Sequence, residues 1–170
     1  MSKWLYPTLD DCLHTVFPAI REVIYDESES YRPIYESQSE GLNNLDKTLV
    51  FVQNDEYYPD FYLKTAYLFL SITKGHYFSN GNKRLAAALT SFFLVVNQYE
   101  QTDKNERQVA TWFKTNFPTY ELDNSNFPIM NWALYHLNKA INDKVDLIVF
   151  DKLKNMVAQL FGLIFVQKVA

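Results

Sequence analysis

The chain has 170 residues, a formal net charge of −4 and an apolar fraction of 48%. A chain of this length is expected to form one domain, or one domain with an extension, and has enough apolar side chains for a sizeable core. Because the net charge is negative, we expect neither direct binding to nucleic acid nor attraction to an anionic membrane.

The beginning of the chain predicts a helix followed by a polar stretch. Thr8-x-x-Asp11 is typical of a helix start with a capping box, and apolar residues then follow at helical spacing as far as Ile24. Pro18 is expected to kink or shorten this helix. Residues 26–45 are polar and predict a loop with short irregular elements.

A run of β-branched and aromatic side chains comes next, at residues 48–52, and an Asn-Asp-Glu turn signal follows at residues 54–56. This pattern predicts a short helix extended into a small β-hairpin-like flap over residues 49–58. A flap of this kind could pair with an extended segment of a target protein.

Two long apolar segments predict a pair of core helices, at residues 61–74 and 85–97. Asp60 is a suitable N-cap for the first of them and Gly75 a suitable stop. The second has neither Gly nor Pro. Residues 76–84 are therefore expected to lie in a loop between two core helices.

The remainder of the chain continues with helical patterns. We expect one helix around residues 109–113 that ends near Pro118, another over residues 128–141, and a last one over residues 145–166. The last segment contains Asp and Lys residues, which predicts an amphipathic helix and no membrane span. The predicted fold class is therefore all-α, with a small β-hairpin-like flap and a helical C-terminal extension.

Two further features bear on the compartment. The first residues lack the apolar segment of a secretory signal peptide, and the single cysteine, Cys12, excludes an internal disulfide. We therefore expect a cytoplasmic protein. Cys12 lies in an apolar helical pattern, which favours a buried structural thiol over a nucleophile.

The segment at residues 76–84 reads His-Tyr-Phe-Ser-Asn-Gly-Asn-Lys-Arg and carries the chemistry of the chain. His76 can accept a proton from a hydroxyl group near neutral pH. Gly81 permits a positive φ and a close approach of phosphate oxygens to the backbone. Lys83 and Arg84 place two cations at a helix N-terminus, where free backbone N–H groups already favour an anion. The segment predicts a phosphate-binding site with a base beside it.

Six positions of the segment match a known signature. They are His76, Phe78, Gly81, Asn82, Lys83 and Arg84. The pattern resembles the signature of the Fic/Doc superfamily, His-x-Phe-x-Asp/Glu-Gly-Asn-Gly/Lys-Arg. Lys83 stands in place of the second glycine, which resembles the Doc (death-on-curing) branch.

The resemblance covers roughly the first hundred residues. It implies a helical bundle with the motif loop between two central helices. We therefore expect a Fic/Doc-like core at residues 1–100, with its motif loop at residues 76–84, and a helical C-terminal part at residues 101–170 of the same compact domain.

The resemblance also implies roles for the site residues. His76 would be the catalytic base and Phe78 a structural anchor of the loop. The nucleotide phosphates would be held by a set of neighbouring residues, namely Asn80, Gly81, Asn82, Lys83 and Arg84. Asn80 stands where the superfamily usually has an acidic ligand of Mg²⁺, so a weakened metal site is expected.

The function implied is that of a toxin of a toxin–antitoxin system. A Doc-like chain transfers the γ-phosphate of ATP to a Ser or Thr hydroxyl of a cytoplasmic protein, for which elongation factor Tu is the expected target. The closest match to the self-inhibitory motif of the superfamily is Thr102-x-x-x-Glu106, but Arg107 follows it. A cognate antitoxin acting in trans is therefore implied.

Three alternatives stay open. The chain could transfer AMP as Fic enzymes do, although Lys83 argues against this. It could be a degenerate, non-catalytic module that binds nucleotide, because Asn80 replaces the acidic ligand. It could also be a scaffold whose aromatic C-terminal part binds a partner.

Overall fold

The computed structural model describes residues 3–24, 33–123, 132–142 and 148–169. These residues are mostly helical, with seven helices and two short strands, which confirms the predicted all-α class. Contacts within the chain divide it into two compact units, Met1–Asn97 and Gln98–Ala170. The prediction that residues 1–100 and 101–170 form one compact domain stays a prediction.

The first helix of unit 1, α1, has mixed hydrogen bonding. It consists of four consecutive segments, Leu9–Asp11, Cys12–Val16, Phe17–Ala19 and Ile20–Ile24, of which the second and fourth are π-helical. The predicted capping box is confirmed, because Thr8 Oγ1 accepts from Asp11 N at 3.1 Å and Asp11 Oδ2 accepts from Thr8 N at 2.8 Å.

Pro18 does not shorten α1. It lies between the two π-helical segments, and their wider turns accommodate a residue that has no backbone N–H to donate.

The next part of unit 1 is more helical than predicted. A short 3₁₀ helix, Tyr35–Ser37, precedes helix α2, Ser39–Phe51. The prediction of a loop with short irregular elements over residues 26–45 is therefore wrong from residue 39 onward, where α2 begins, and residues 26–32 lie outside the described part of the chain.

The predicted hairpin-like flap over residues 49–58 is also wrong. Its first residues belong to α2, and turns follow at residues 52–57. Leu45, Leu49 and Val52 are all buried, and their spacing of four and three residues places them on one face of a helix. Burial at this helical period outweighs the β-propensity of the run.

Two central helices flank the motif loop. Helix α3 is Phe61–Gly75 and helix α4 is Asn82–Val96. Asp60 is the N-cap of α3, as predicted, and its Oδ1 accepts from Leu63 N at 2.9 Å. The two helices contribute a large apolar part of the core of unit 1, including Phe69, Leu70, Leu85, Leu89 and Phe93.

The described part of unit 2 contains three helices and a small sheet. The helices are α5, Glu106–Asn116; α6, Trp132–Asn142; and α7, Phe150–Ile164. The strands are β1, Tyr99–Gln101, and β2, Phe165–Gln167; they are antiparallel, with Tyr99 opposite Gln167.

The last predicted helix is therefore shorter than expected, because the chain becomes extended at Phe165, where it pairs with β1. Pro128 and residues 143–147 lie outside the described part. Among the helices that the structure describes, none combines the length and the apolar character needed to cross a membrane.

Candidate functional site

The motif loop, residues 76–81, joins the end of α3 to the beginning of α4. His76 is exposed and follows the last helical residue, Gly75, as the C-cap of α3. Its backbone is left-handed, with φ 47° and ψ 47°. A residue with a side chain pays about 1–2 kcal/mol for this conformation, which glycine would adopt freely. The surrounding contacts must therefore hold His76 in place.

Phe78 lies in the core beside two other aromatic rings. Its exposed fraction is 3%, and its ring meets Tyr35 edge-on at 5.0 Å and Phe17 edge-on at 6.1 Å. Tyr35 in turn stacks on Phe17 at 4.5 Å. The middle of the loop is thus fixed to α1 and to the 3₁₀ helix that precedes α2.

Asn82 closes the loop through its side chain. Its Oδ1 accepts from Phe78 N at 3.0 Å, and its Nδ2 donates to Phe78 O at 2.7 Å. The residue is buried, with 8% exposed. From the sequence, Asn82 is expected to help hold the phosphates; in the structure its amide supports the backbone of the loop, which leaves one N–H for any ligand.

Gly81 is required by both its conformation and its surroundings. Its φ is 75°, and its carbonyl oxygen accepts from Tyr35 Oη at 2.9 Å. A Cβ at this position would lie 2.5 Å from Tyr35 Oη and 2.9 Å from Pro33 Cγ. Any other residue would therefore combine an unfavourable φ with a steric conflict.

The first turn of α4 presents backbone donors. At the start of α4, Leu85 N donates to Gly81 O at 2.9 Å. The N–H groups in the first turn of a helix point out of its N-terminal end, where they can meet an anion. Gly81, the N-cap, has no side chain to accept from them. Lys83 is exposed and Arg84 half-buried. This helix start has the charge and the donors that suit an anion.

Asn80 carries an unsatisfied acceptor. Its Oδ1 is buried and has no hydrogen-bond partner among the described residues. An amide oxygen is a hard ligand that Mg²⁺ accepts, although it carries no charge. The described residues contain no cluster of three or more His, Cys, Asp or Glu side chains that could hold a metal ion. Asn80 therefore fits a role as one ligand of an ion held mainly by phosphate oxygens.

Several residues that support the loop were missed in the sequence. Gln38 Oε1 accepts from Ser79 N at 2.8 Å, and Thr48 Oγ1 and Tyr77 Oη are 2.6 Å apart. Tyr35 and Gln38 come from the segment predicted to be a loop, and Thr48 begins the run predicted to be a short helix that extends into a flap. The helical spacing of Leu45 with the apolar residues after it was the available signal for α2.

Other candidate groups lie elsewhere. Cys12 is fully buried, and burial, with a smaller contribution from Asp11, raises the pKa of its thiol to about 12. It is therefore an unreactive thiol. In unit 2, His136 is 7% exposed, its Nδ1 lies 2.6 Å from Tyr120 Oη, and burial lowers its pKa. Both are structural groups, whereas His14 is exposed beside Asp10.

Comparison with protein families gives one match. Residues 13–94 match the family model described as Fic/DOC family. The match covers just under half of the chain, and it includes the motif loop with α2, α3 and most of α1 and α4. It supports assignment to the Fic/Doc superfamily, whereas the Doc branch stays a prediction. Searches of curated proteins and of solved structures found no match.

Proposed function

We propose that this protein is a Fic/Doc-type transferase that moves a phosphate-containing group from ATP to a hydroxyl group of another protein. One observation carries the proposal: a single short loop joins an exposed histidine, His76, to the start of α4. This helix start offers backbone N–H groups and the cationic side chains of Lys83 and Arg84. A base and an anion site on one short loop are the two parts that phosphoryl transfer to a hydroxyl needs.

In this proposal each part of the loop has one task. The imidazole of His76 accepts the hydroxyl proton as the oxygen attacks phosphorus, and the bond from this phosphorus to the leaving oxygen of the nucleotide breaks, so that the rest of the nucleotide departs. The N–H groups of the first turn of α4, with the charges of Lys83 and Arg84, hold the phosphates and stabilise the charge that develops on them. Mg²⁺ bound to the phosphates, with Asn80 Oδ1 as a protein ligand, would add further charge stabilisation.

We propose further that the γ-phosphate is the group transferred. Lys83 supports this choice, because it occupies the position that distinguishes Doc-like chains and is exposed in the first turn of α4. The product would be a phosphorylated Ser or Thr on a cytoplasmic protein, with elongation factor Tu as the first candidate. Such a protein would act as a toxin and would need an antitoxin in trans.

A transfer assay tests the proposal. Purified protein is incubated with Mg²⁺, elongation factor Tu or a bacterial lysate, and ATP labelled at either the α- or the γ-phosphate. We expect γ-label on a protein target and none with His76→Ala. Label from the α-position alone would replace the kinase with an AMP transferase. Transfer that persists in His76→Ala would contradict the role of the histidine.

A second candidate is a nucleotide-binding module without catalysis. The observation that favours it is the neutral amide of Asn80, which binds a divalent ion more weakly than a carboxylate does. Binding of ATP with no transfer of either label would support this module. Recovery of transfer in Asn80→Asp would then identify Asn80 as the cause.

A further inference from the structure

A side-chain hydrogen bond connects the residue after His76 to α2. Tyr77 Oη lies 2.6 Å from Thr48 Oγ1, and Thr48 is buried, with 4% exposed. Thr48 Oγ1 also donates to Asn44 O at 3.1 Å. Either of the two hydroxyl groups can be the donor in the bond between Tyr77 and Thr48.

The rest of Tyr77 is held by two glycines. A Cβ on Gly75 would lie 2.9 Å from both Cδ1 and Cζ of the Tyr77 ring, so this ring rests directly on the residue that precedes His76. A Cβ on Gly41 would overlap the carbonyl oxygen of Tyr77 and would lie 2.7 Å from Phe78 Cδ1. The chain on both sides of His76 is thus closely packed against neighbouring atoms.

This packing explains how His76 keeps a conformation that its own side chain disfavours. Left alone, His76 would relax from φ 47° to a right-handed or extended backbone, and its imidazole would move with it. The bond to Thr48 fixes the hydroxyl end of the Tyr77 ring and helps to keep the ring against Gly75, where it opposes this change.

We propose that Tyr77, held by Thr48, is a positioning residue that fixes the direction of the His76 imidazole. The proposal rests on the transfer reaction proposed above. Tyr77 takes no part in the chemistry; it raises the fraction of molecules in which His76 faces the attacking hydroxyl group.

Kinetic measurements on a set of variants test this role. Tyr77→Phe and Thr48→Val each remove the bond, whereas Thr48→Ser keeps a hydroxyl group. Tyr135→Phe is the matched control, because Tyr135 is exposed and lies in α6 of unit 2. We expect kcat to fall about three- to tenfold in Tyr77→Phe and Thr48→Val, the effect of one neutral hydrogen bond, with KM for ATP unchanged.

Thr48→Ser should recover most of kcat, and Tyr135→Phe should match the wild type. A wild-type kcat in Tyr77→Phe would overturn the proposal. So would an equal loss in Thr48→Ser and Thr48→Val, or a loss expressed in KM alone.

A measurement without catalysis separates this inference from the proposed function. The Cα and Cβ chemical shifts of His76 report its backbone conformation and can be compared between the wild type and Tyr77→Phe. We expect them to move toward values of a right-handed or extended residue in Tyr77→Phe. Unchanged shifts would overturn the inference even if transfer is observed. If the shifts change but the wild-type protein transfers neither label, the result would support the positioning role of Tyr77 and would refute the proposed transferase function.

Discussion

Replacing Gly81 by alanine should destabilise unit 1 through two separate effects. A φ of 75° costs alanine about 1–2 kcal/mol relative to glycine. The new Cβ would also lie 2.5 Å from Tyr35 Oη and 2.9 Å from Pro33 Cγ, and overpacking of this kind costs about 1–3 kcal/mol. We expect the free energy of unfolding, measured by urea denaturation, to fall by about 2–5 kcal/mol.

A matched variant and a double-mutant cycle test this reasoning. The matched variant is Gly162→Ala, because Gly162 is exposed and lies within α7. This substitution should leave the free energy of unfolding unchanged or raise it by up to about 1 kcal/mol. Tyr35→Phe removes the nearest atom, so Gly81→Ala should cost about 1 kcal/mol less in that background than in the wild type. Additivity within about 0.3 kcal/mol, or a loss below about 0.5 kcal/mol for Gly81→Ala alone, would refute the reasoning.

Three further predictions concern other groups. Lys64 is fully buried and donates to Val52 O at 3.0 Å and to Asp55 Oδ1 at 2.8 Å; Lys64→Ala should cost about 2–4 kcal/mol in urea unfolding, whereas Asp55→Asn at the exposed end should cost under about 1 kcal/mol. Equal losses would contradict the burial argument. Burial lowers the pKa of His136 in the folded state, so that, as pH falls, this histidine is protonated in the unfolded chain before it is protonated in the folded protein. The folded state is therefore most stable with respect to this group above a pH of about 6.5, and this stability is lost as pH falls through the folded pKa. His136→Gln should flatten this dependence in a series of thermal melts, and an unaltered pH profile would count against it. Asn80→Asp should lower the Mg²⁺ concentration needed for half-maximal ATP binding by roughly tenfold, as seen in a Mg²⁺ titration, because it adds a charge beside the ion; no change would place Asn80 away from the metal.

The parts of unit 1 that could be predicted from the sequence are those specified by residues close together in the chain. Thr8 with Asp11, and Asp60 before α3, are caps whose hydrogen bonds span three residues, so their pattern is complete in the sequence. The motif loop between α3 and α4 was also predicted, because two long apolar segments without an interior proline leave few other places for a turn.

The parts that sequence reasoning missed depend on contacts that are distant in the chain. Tyr35 bonds Gly81, Gln38 bonds Ser79 and Thr48 bonds Tyr77, and each pair is separated by 29 or more residues. The polar composition before α2 therefore predicted a loop, although several of its polar groups are used to support the motif. The strand at residues 165–167 was missed for the same reason, since its partner is β1.

The most direct test of the account separates binding of ATP from transfer. The dissociation constant for ATP is measured by calorimetry, and label transfer is measured in single-turnover reactions, for the wild type, His76→Ala and Arg84→Ala. We expect His76→Ala to bind ATP as the wild type does but to transfer nothing. Arg84→Ala should bind ATP at least tenfold more weakly, because it removes the guanidinium charge that would contact the phosphates. Transfer by His76→Ala at the wild-type rate, or unchanged ATP binding by Arg84→Ala, would contradict the account.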